Sequence, residues 1–246
     1  MPRQHPLFSV ITPSRGDRPR ALAQAIASVR TAAEQAAQGL PPGGVEMLVG
    51  YDGVRGPRNG PQGEPAPDFV RFFDLPRDGN FGNAIRQALL KAARGRFVLF
   101  VDDDNALTSE AFNIYLQGLE HEMQIGRIDV SRAFDKPFLP EDITEEMPAL
   151  MPGDKPGSVL IRQGNIDPLC LCLSRELVCV RCDGWRGEGG YESDYLNILR
   201  YSRRAHSVRQ TAQLVGIYDA GCGLDDAGLN PRQHLLAGPK SRKDTP

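Results

Sequence analysis

Residues 97–104 read Phe-Val-Leu-Phe-Val-Asp-Asp-Asp, an unbroken apolar run that ends in three consecutive carboxylates. A short continuous apolar run is typical of a strand buried on both faces of a sheet. The carboxylates then lie at the carboxyl end of that strand, where open α/β sheets bind their ligands. Adjacent carboxylates repel one another and favour a hard cation such as Mg²⁺ or Mn²⁺. The alternative is an acidic turn before a helix, with Asn105 or Thr108 as its N-cap.

The rest of the chain places this strand in an alternation of strands and helices. Apolar patterning predicts helices at 19–37 and 83–93 and strands at 8–12, 45–49, 69–73 and 97–101. This order predicts a doubly wound, mostly parallel α/β sheet. Later patterns predict helices at 109–124 and 191–204, a loop at 135–157, and strands at 158–161, in a pair within 169–182, and at 213–218. We expect a single domain over 1–230 and a polar, mobile tail over 231–246.

Composition excludes several classes of protein. The chain has 246 residues, 40% of them hydrophobic, and a formal net charge of −2. This length suffices for a full α/β core, and the lack of a basic balance argues against a nucleic-acid partner. No run approaches the ~18 consecutive apolar residues of a membrane span, and the N-terminus has no signal-peptide core. We expect a cytoplasmic protein, with peripheral association at the inner face of a membrane left open.

Polar side chains follow three of the predicted strands. These are the stretch Thr12-Pro13-Ser14-Arg15, the Asp52-Gly53 pair, and the acidic stretch after residue 101. In a parallel sheet all three share one edge, where they could contact a base and a ribose while the carboxylates hold a cation against phosphates. Neither a dinucleotide fingerprint nor a P-loop is present in the sequence. Phosphate recognition is therefore predicted to depend on a cation held by carboxylates.

The cysteines allow two interpretations. Cys170, Cys172, Cys179 and Cys182 lie close together in the sequence and offer four thiols to a zinc ion. However, the Leu-Cys-Leu-Cys-Leu alternation is typical of a strand, in which free cysteine behaves as a small buried hydrophobe. We favour buried thiols over a zinc site.

Several of these motifs together resemble those of family 2 glycosyltransferases, which are nucleotide-sugar-dependent enzymes of the GT-A fold. Residues 9–13 (Ser-Val-Ile-Thr-Pro) resemble the opening strand of the family, and residues 51–54 (Tyr-Asp-Gly-Val) resemble its Asp-Asp-Gly-Ser turn. The most specific match is Asn-Phe-Gly-Asn-Ala-Ile-Arg at 80–86, followed by the stretch at 97–104. The resemblance implies a nucleotide-binding N-terminal half and an acceptor-binding C-terminal half.

The resemblance also implies a reaction. It is the metal-dependent, inverting transfer of a sugar from a nucleotide-diphosphate sugar, with a UDP-sugar the expected donor, to an unknown hydroxyl acceptor. Synthesis of cell-surface polysaccharide or glycoconjugate is the expected setting. By the same resemblance Asp104 would ligate Mn²⁺ or Mg²⁺ with support from Asp102, and Asp103 would lie near the ribose. The other residues expected on the nucleotide side are Thr12, Pro13, Arg15, Asp52, Asn80 and Arg86.

A second motif, Trp-Arg-Gly-Glu-Gly-Gly-Tyr-Glu-Ser-Asp at 185–194, leads into the last predicted helix. In the family a glycine-rich loop leads to an acidic pair whose Asp is the general base, which implies Asp194 here, with Glu192 or Glu188 as alternatives. A carboxylate at a helix N-terminus is also favoured by the helix dipole alone. The residues expected to bind the acceptor are Trp185, Tyr191 and Glu192. For the two aromatic rings, packing in the core is the alternative to stacking on a sugar.

Two other functions stay open. A sugar-phosphate nucleotidyltransferase shares the sheet and the metal carboxylates, but it normally has a glycine-rich signature with Arg and Lys after the first strand. This chain has Arg-Gly-Asp-Arg at 15–18 instead. A non-catalytic nucleotide-sugar-binding protein of the same fold is the other possibility, because the first two motifs are altered and Ser193 replaces the Glu of the acidic pair. Turnover of a donor separates this second alternative from an enzyme.

Overall fold

The computed structural model describes residues 5–58, 64–143 and 161–225. Its strands are β1 (Phe8–Ser14), β2 (Val45–Asp52), β3 (Val70–Leu75), β4 (Phe97–Phe100), β5 (Ala106–Leu107), β6 (Met123–Asp129), β7 (Phe138–Leu139), β8 (Leu171–Ser174) and β9 (Val208–Ile217). Its α-helices are α1 (Pro19–Gln35), α2 (Asn83–Ala92), α3 (Ala111–Leu116) and α4 (Ser193–Arg204). Short 3₁₀ turns lie at Pro168–Cys170 and Gly190–Glu192, and a π-helical segment lies at Glu176–Arg181.

The strands form one sheet in the order β3-β2-β1-β4-β8-β6-β9-β5, with β7 paired to β6. The neighbours β3, β2, β1 and β4 are parallel, whereas β8 runs antiparallel to both β4 and β6. Beyond β8 the sheet is mixed, since β6 and β9 are parallel and β5 is antiparallel to β9. The predicted α/β class with a parallel N-terminal sheet is confirmed.

The centre of the sheet is buried on both faces. All residues of β1 and β4 are buried, as the continuous apolar run predicts, and α1 and α2 pack apolar residues such as Val29 and Ile85 into the same core. Pro19 occupies the first turn of α1, where its missing N–H leaves no unmet hydrogen bond. At Gly95 an added Cβ would lie 2.6 Å from the backbone nitrogen of Ser9, so the close approach of the chain to β1 before β4 requires glycine.

The predicted helix at 109–124 is wrong in extent. The α3 helix has six residues, and β6 already begins at Met123. Between them the chain turns at Gly118, where an added Cβ would lie 2.3 Å from the side chain of Gln124. The apolar spacing that suggested one long helix therefore belongs to a short helix followed by a buried strand.

The predicted pair of strands within 169–182 is also partly wrong. The strand β8 is present, but it ends at Ser174 and the chain continues as the π-helical segment. Leu177 and Val178 are both buried although they are adjacent, which a helical backbone permits and an alternating strand does not.

The four clustered cysteines do not converge on one point. Contacts from thiol sulfur to backbone carbonyl oxygen join Cys170 to Leu139, Cys179 to Leu90 and Cys182 to Arg200. Burial raises the pKa of the thiols, which keeps them neutral. Within the described ranges, no group of three or more His, Cys, Asp or Glu side chains is arranged to hold a metal ion. The structure thus supports buried thiols over a zinc site.

The remaining predictions concern the C-terminal part. The last strand, β9, is longer than the predicted 213–218 and begins at Val208. Residues 144–157 of the predicted loop, 158–160 of the predicted strand, and the predicted tail at 231–246 lie outside the described residues. No helix in the described part of the chain is both long and apolar enough to cross a membrane.

Candidate active site

A cavity of about 740 Å³ opens at the carboxyl ends of β1, β2 and β4. The first side of this cavity, here called the strand-end wall, contains Pro13, Ser14, Arg15, Asp52, Asp102, Asp103 and Asp104. A second group of lining residues comes from the later loops and the start of α4, and it is here called the loop wall: Gln163, Asp167, Tyr191, Glu192, Asp194 and Tyr195. Carboxylates therefore line both walls. The positively charged side chains that pair with them largely determine what the cavity can bind.

Arg18 balances the buried carboxylates of the strand-end wall. Its guanidinium pairs with both Asp103 and Asp104, and Ser14 donates its hydroxyl hydrogen to the second oxygen of Asp103 at 2.6 Å. Burial raises the pKa of both carboxyls, and the charge of Arg18 opposes that rise. Asp103 is 1% exposed, so this residue is held from two sides and can move little.

Arg86 joins the two walls. Its side chain is only 3% exposed, and its Nη2 donates to both oxygens of Asp102 at 2.7 and 2.8 Å. Its Nη1 donates to the carbonyl of Phe81 at 2.8 Å and lies 4.0 Å from Asp194 of the loop wall. The guanidinium also lies over the ring of Trp185, 5.1 Å from its centroid. One buried cation therefore faces a carboxylate from each wall.

Asp194 lies in the first turn of α4, and two asparagines fix that turn. Asn83 Nδ2 donates to the hydroxyl of Ser193 at 3.3 Å, and Asn197 Nδ2 donates to the carbonyl of Ser193 at 2.7 Å. Burial raises the pKa of Asp194, and the charge of Arg86 opposes the rise. The side chain is still 40% exposed, so an acceptor can reach this carboxylate from the open side of the cavity.

The rest of the loop wall is held by local hydrogen bonds. Gln163 Nε2 donates to Glu192 Oε1 at 3.0 Å, which joins two segments far apart in sequence. Asp167 accepts the N–H of Leu169 at 2.9 Å and so caps a 3₁₀ turn. Burial, together with the charge of Asp194, raises the pKa of Asp167 to about 8. The loop wall therefore carries two different carboxyl groups. Asp167 holds a proton near neutral pH, whereas Asp194 is more open to solvent.

Asp52 lines the cavity and also has a local structural role. Its two oxygens accept the backbone N–H groups of Asp78 at 2.6 Å and Gly79 at 2.9 Å. These bonds hold the turn before α2 against the end of β2 and join segments that are 26 and 27 residues apart in the chain. A nucleotide contact would use the remaining lone pairs of this carboxylate.

Three residues predicted for the site do not line the cavity. Trp185 is 3% exposed and packs against Phe100 and Tyr201 in the core, so no sugar can stack on its ring in this arrangement. Thr12 is fully buried within β1. Asn80 instead donates its amide to the carbonyl of Gly187 at 3.2 Å, which anchors the glycine-rich loop. The other ten predicted site residues are in the lining.

Sequence reasoning missed several lining residues, namely Arg18, Phe81, Lys136, Gln163, Asp167, Tyr195 and Tyr218. Arg18 carried a usable signal, because a cation placed between β1 and α1 must lie near the same sheet edge as the carboxylates. Gln163 and Asp167 carried none, because no motif marks their segment and tertiary packing alone places it at the cavity.

Comparisons with known proteins agree with this fold. No protein-family model matches the sequence, and no curated protein matches it. Among solved structures, S. aureus TarS 1–349 is similar, with a TM-score of 0.62 and 15% identity over 86% of this chain and 60% of that chain. The same protein in complex with UDP-GlcNAc has a TM-score of 0.61 and 13% identity over 92% of this chain and 60% of that chain.

A third solved structure is similar as well. The mannosyltransferase PcManGT from Pyrobaculum calidifontis, in complex with GDP-Man and Mn²⁺, has a TM-score of 0.56 and 14% identity over 89% of this chain and 58% of that chain. At these identities the similarity defines the fold, which is that of GT-A glycosyltransferases. The chain spans about 60% of the length of the TarS fragment.

The strand-end wall has the donor chemistry of a divalent-cation site. Carboxylate oxygens are the ligands that Mg²⁺ and Mn²⁺ prefer, and Asp102 and Asp104 supply them beside the cavity. In the described residues, however, Arg86 is paired with Asp102 and Arg18 with Asp104, and no group of three or more such side chains is arranged around a metal position. A cation at Asp104 therefore has to compete with Arg18 for this carboxylate.

Proposed function

We propose that this chain transfers a sugar from a nucleotide-diphosphate sugar to a hydroxyl acceptor, with inversion at the anomeric carbon. The proposal rests on one observation. In a GT-A fold, a single cavity at the carboxyl ends of parallel strands has the Asp102–Asp104 triplet on one wall and the accessible Asp194 on the other. Inverting transfer needs positive charge beside the departing diphosphate, which a cation held by the triplet would supply, and a carboxylate that takes the proton of the acceptor hydroxyl.

The donor would lie along the strand-end wall. We place its base near Pro13, Arg15 and Asp52, and its ribose near Asp103. A UDP-sugar is the donor that we expect, and one of the similar solved structures contains UDP-GlcNAc. The buried guanidinium of Arg86 lies where it could offset charge that develops on the diphosphate.

A divalent cation, Mn²⁺ or Mg²⁺, would be held by Asp104 with Asp102. When bound there, it supplies positive charge next to the diphosphate leaving group. The positions of Arg18 and Arg86 mean that the protein's own cations occupy these carboxylates in the absence of that ion.

Asp194 would act as the base. The acceptor oxygen attacks the anomeric carbon, and its proton passes to a carboxylate oxygen of Asp194. The bond between the anomeric carbon and the diphosphate oxygen breaks, and its electron pair leaves with the nucleoside diphosphate. Because burial raises the pKa of Asp194, this carboxylate is a better proton acceptor than an ordinary exposed Asp.

The test is turnover of donor by wild type and by Asp194→Asn. We expect the substitution to lower the rate by about 10²–10⁴-fold, the range for loss of a general base, with UDP affinity retained. Sugar transfer and slow donor hydrolysis would be followed with Mn²⁺ and a panel of donors, and UDP binding by calorimetry. Asp183→Asn is the matched control, because Asp183 is an exposed aspartate outside the cavity lining, with a positive φ that Asn tolerates.

Two outcomes would contradict the proposal. Turnover by Asp194→Asn at the wild-type rate would remove Asp194 from the mechanism. Tight UDP binding by wild type without turnover of any donor would instead favour the non-catalytic nucleotide-sugar-binding protein.

A further inference from the structure

Two aromatic side chains are exposed at the rim of the cavity. Phe81 is 65% and Tyr191 81% exposed, which makes them the most exposed large apolar side chains in the described ranges. Their rings contact each other edge to face, with centroids 5.7 Å apart and an interplanar angle of 74°. One ring belongs to the turn before α2 and the other to the 3₁₀ turn before α4, so the pair joins the turn before α2 to the loop wall.

The exposure of Phe81 is imposed by the backbone. Its φ of +52° lies in the left-handed region, which a bulky residue rarely adopts. The carbonyl of the same residue accepts Nη1 of the buried Arg86 at 2.8 Å, which holds this conformation in place. An apolar ring held outwards at a strained position does nothing for the core, and such strain clusters at binding sites.

The cavity beside the pair is lined by both apolar and polar side chains. The polar ones include Lys136 and the hydrogen-bonded Gln163 and Glu192. Asp194 follows Tyr191 by three residues and lies on the same wall. A ligand seated here would meet an apolar surface on one face, hydrogen-bonding groups along its edges, and a carboxylate near one of its hydroxyls.

We propose that Phe81 and Tyr191 form a binding site for a sugar ring of the acceptor, so that the acceptor is a carbohydrate. This inference rests on the proposed function and identifies the class of its second substrate. A pyranose offers one apolar face of C–H groups and a rim of hydroxyls, which matches an aromatic surface flanked by polar side chains. A lipid tail matches less well, because it would have to desolvate Glu192 and Gln163 without forming hydrogen bonds to them.

The test measures saccharide binding apart from chemistry. The probes are methyl glycosides of glucose, galactose and N-acetylglucosamine, their disaccharides, and n-octanol as the apolar comparison. Saturation-transfer NMR would detect their contacts with the protein in the presence of UDP. Phe81→Asn removes a ring while keeping a residue that tolerates the left-handed backbone, and Tyr191→Ser removes the other ring.

We expect at least one saccharide to bind wild type and to bind each ring-deleted variant about tenfold more weakly, the scale of one aromatic contact. Tyr191→Phe, which keeps the ring, should bind within about threefold of wild type. Since both rings are exposed, the variants should fold, and thermal unfolding would confirm this. Equal saccharide affinity in all variants, or binding of octanol without any saccharide, would overturn the carbohydrate site.

Failure of the underlying function looks different. If wild type binds a saccharide through these rings but neither binds UDP nor turns over a donor, the sugar site stands and the donor assignment fails. If wild type binds UDP and turns over a donor while the ring variants bind saccharides like wild type, only the carbohydrate site is wrong.

Discussion

Asp103 and Asp104 on the strand-end wall are held more firmly than Asp194 on the loop wall. On the strand-end wall Asp103 and Asp104 are 1% and 13% exposed, and the same guanidinium pairs with both. On the loop wall Asp194 is 40% exposed and lies 4.0 Å from the cation nearest to it. Fixed, paired charges suit a surface that positions a ligand, whereas a loosely paired carboxylate is free to accept a proton.

The contrast also shows where the walls depend on each other. Arg86 is buried between them and faces one carboxylate of each. Arg18 contacts the strand-end wall, and Asp167 belongs to the loop wall. A substitution of Arg86 therefore tests the contact between the two walls. Substitutions of Arg18 and Asp167 test the strand-end wall and the loop wall.

The largest effect is expected at Arg86. Replacing it by Met keeps the length of a buried side chain but leaves Asp102 and Asp194 without their shared cation. Loss of one partner from a buried ion pair costs about 3–5 kcal/mol, and the partial exposure of Asp102 should reduce this to about 2–3 kcal/mol. Urea titration of wild type and Arg86→Met gives the two free energies of unfolding, and their difference measures this loss.

Arg58→Met is the matched control for that measurement. Arg58 pairs with Asp74, and both side chains are more than a third exposed, so the expected loss is under about 1 kcal/mol. If Arg86→Met and Arg58→Met lost equal stability, Arg86 would not stabilise the contact between the two walls.

A smaller effect is expected at Arg18. Replacing it by Met frees Asp103 and Asp104 from their guanidinium, so Mn²⁺ should bind about tenfold more tightly without nucleotide, equivalent to about 1.4 kcal/mol. Calorimetric titration with Mn²⁺ at pH 8 measures the affinity. Arg20→Met, two residues further on in the first turn of α1 and outside the lining of this cavity, should leave it unchanged. Weaker Mn²⁺ binding by Arg18→Met would mean that Arg18 supports the cation site instead of competing for it.

The smallest effect concerns Asp167. Because its pKa is raised to about 8, the folded protein keeps a proton here that the unfolded chain loses near pH 4, so stability falls as pH rises from about 4 to about 8 and levels off above that. Asp167→Asn keeps the cap on Leu169 but cannot ionise. Between pH 7 and 8, wild type should lose about 1 kcal/mol more unfolding free energy than the variant. Parallel pH profiles of the two proteins would show that Asp167 is ionised throughout.

The strand-end wall was largely predictable from sequence. The apolar runs before Asp52 and Asp102 identified β2 and β4, and parallel strands carry their carboxyl ends to one edge. The loop wall was predictable only where a motif marked it, as at Asp194 and Tyr191. Trp185 shows the limit of that reading, because nothing in its neighbourhood distinguished a ring that stacks on a sugar from one that fills the core.

By itself, the sequence determined the alternation of strands and helices, the parallel half of the sheet and the position of the acidic triplet. Each of these follows from local periodicity, which neighbouring residues carry. The tertiary structure alone decided that Arg18 and Arg86 would pair with the triplet, that Asp167 would lie near Asp194, and that Phe81 would contact Tyr191. These contacts join residues far apart in the chain, so they depend on how the elements pack and leave no periodic trace in the sequence.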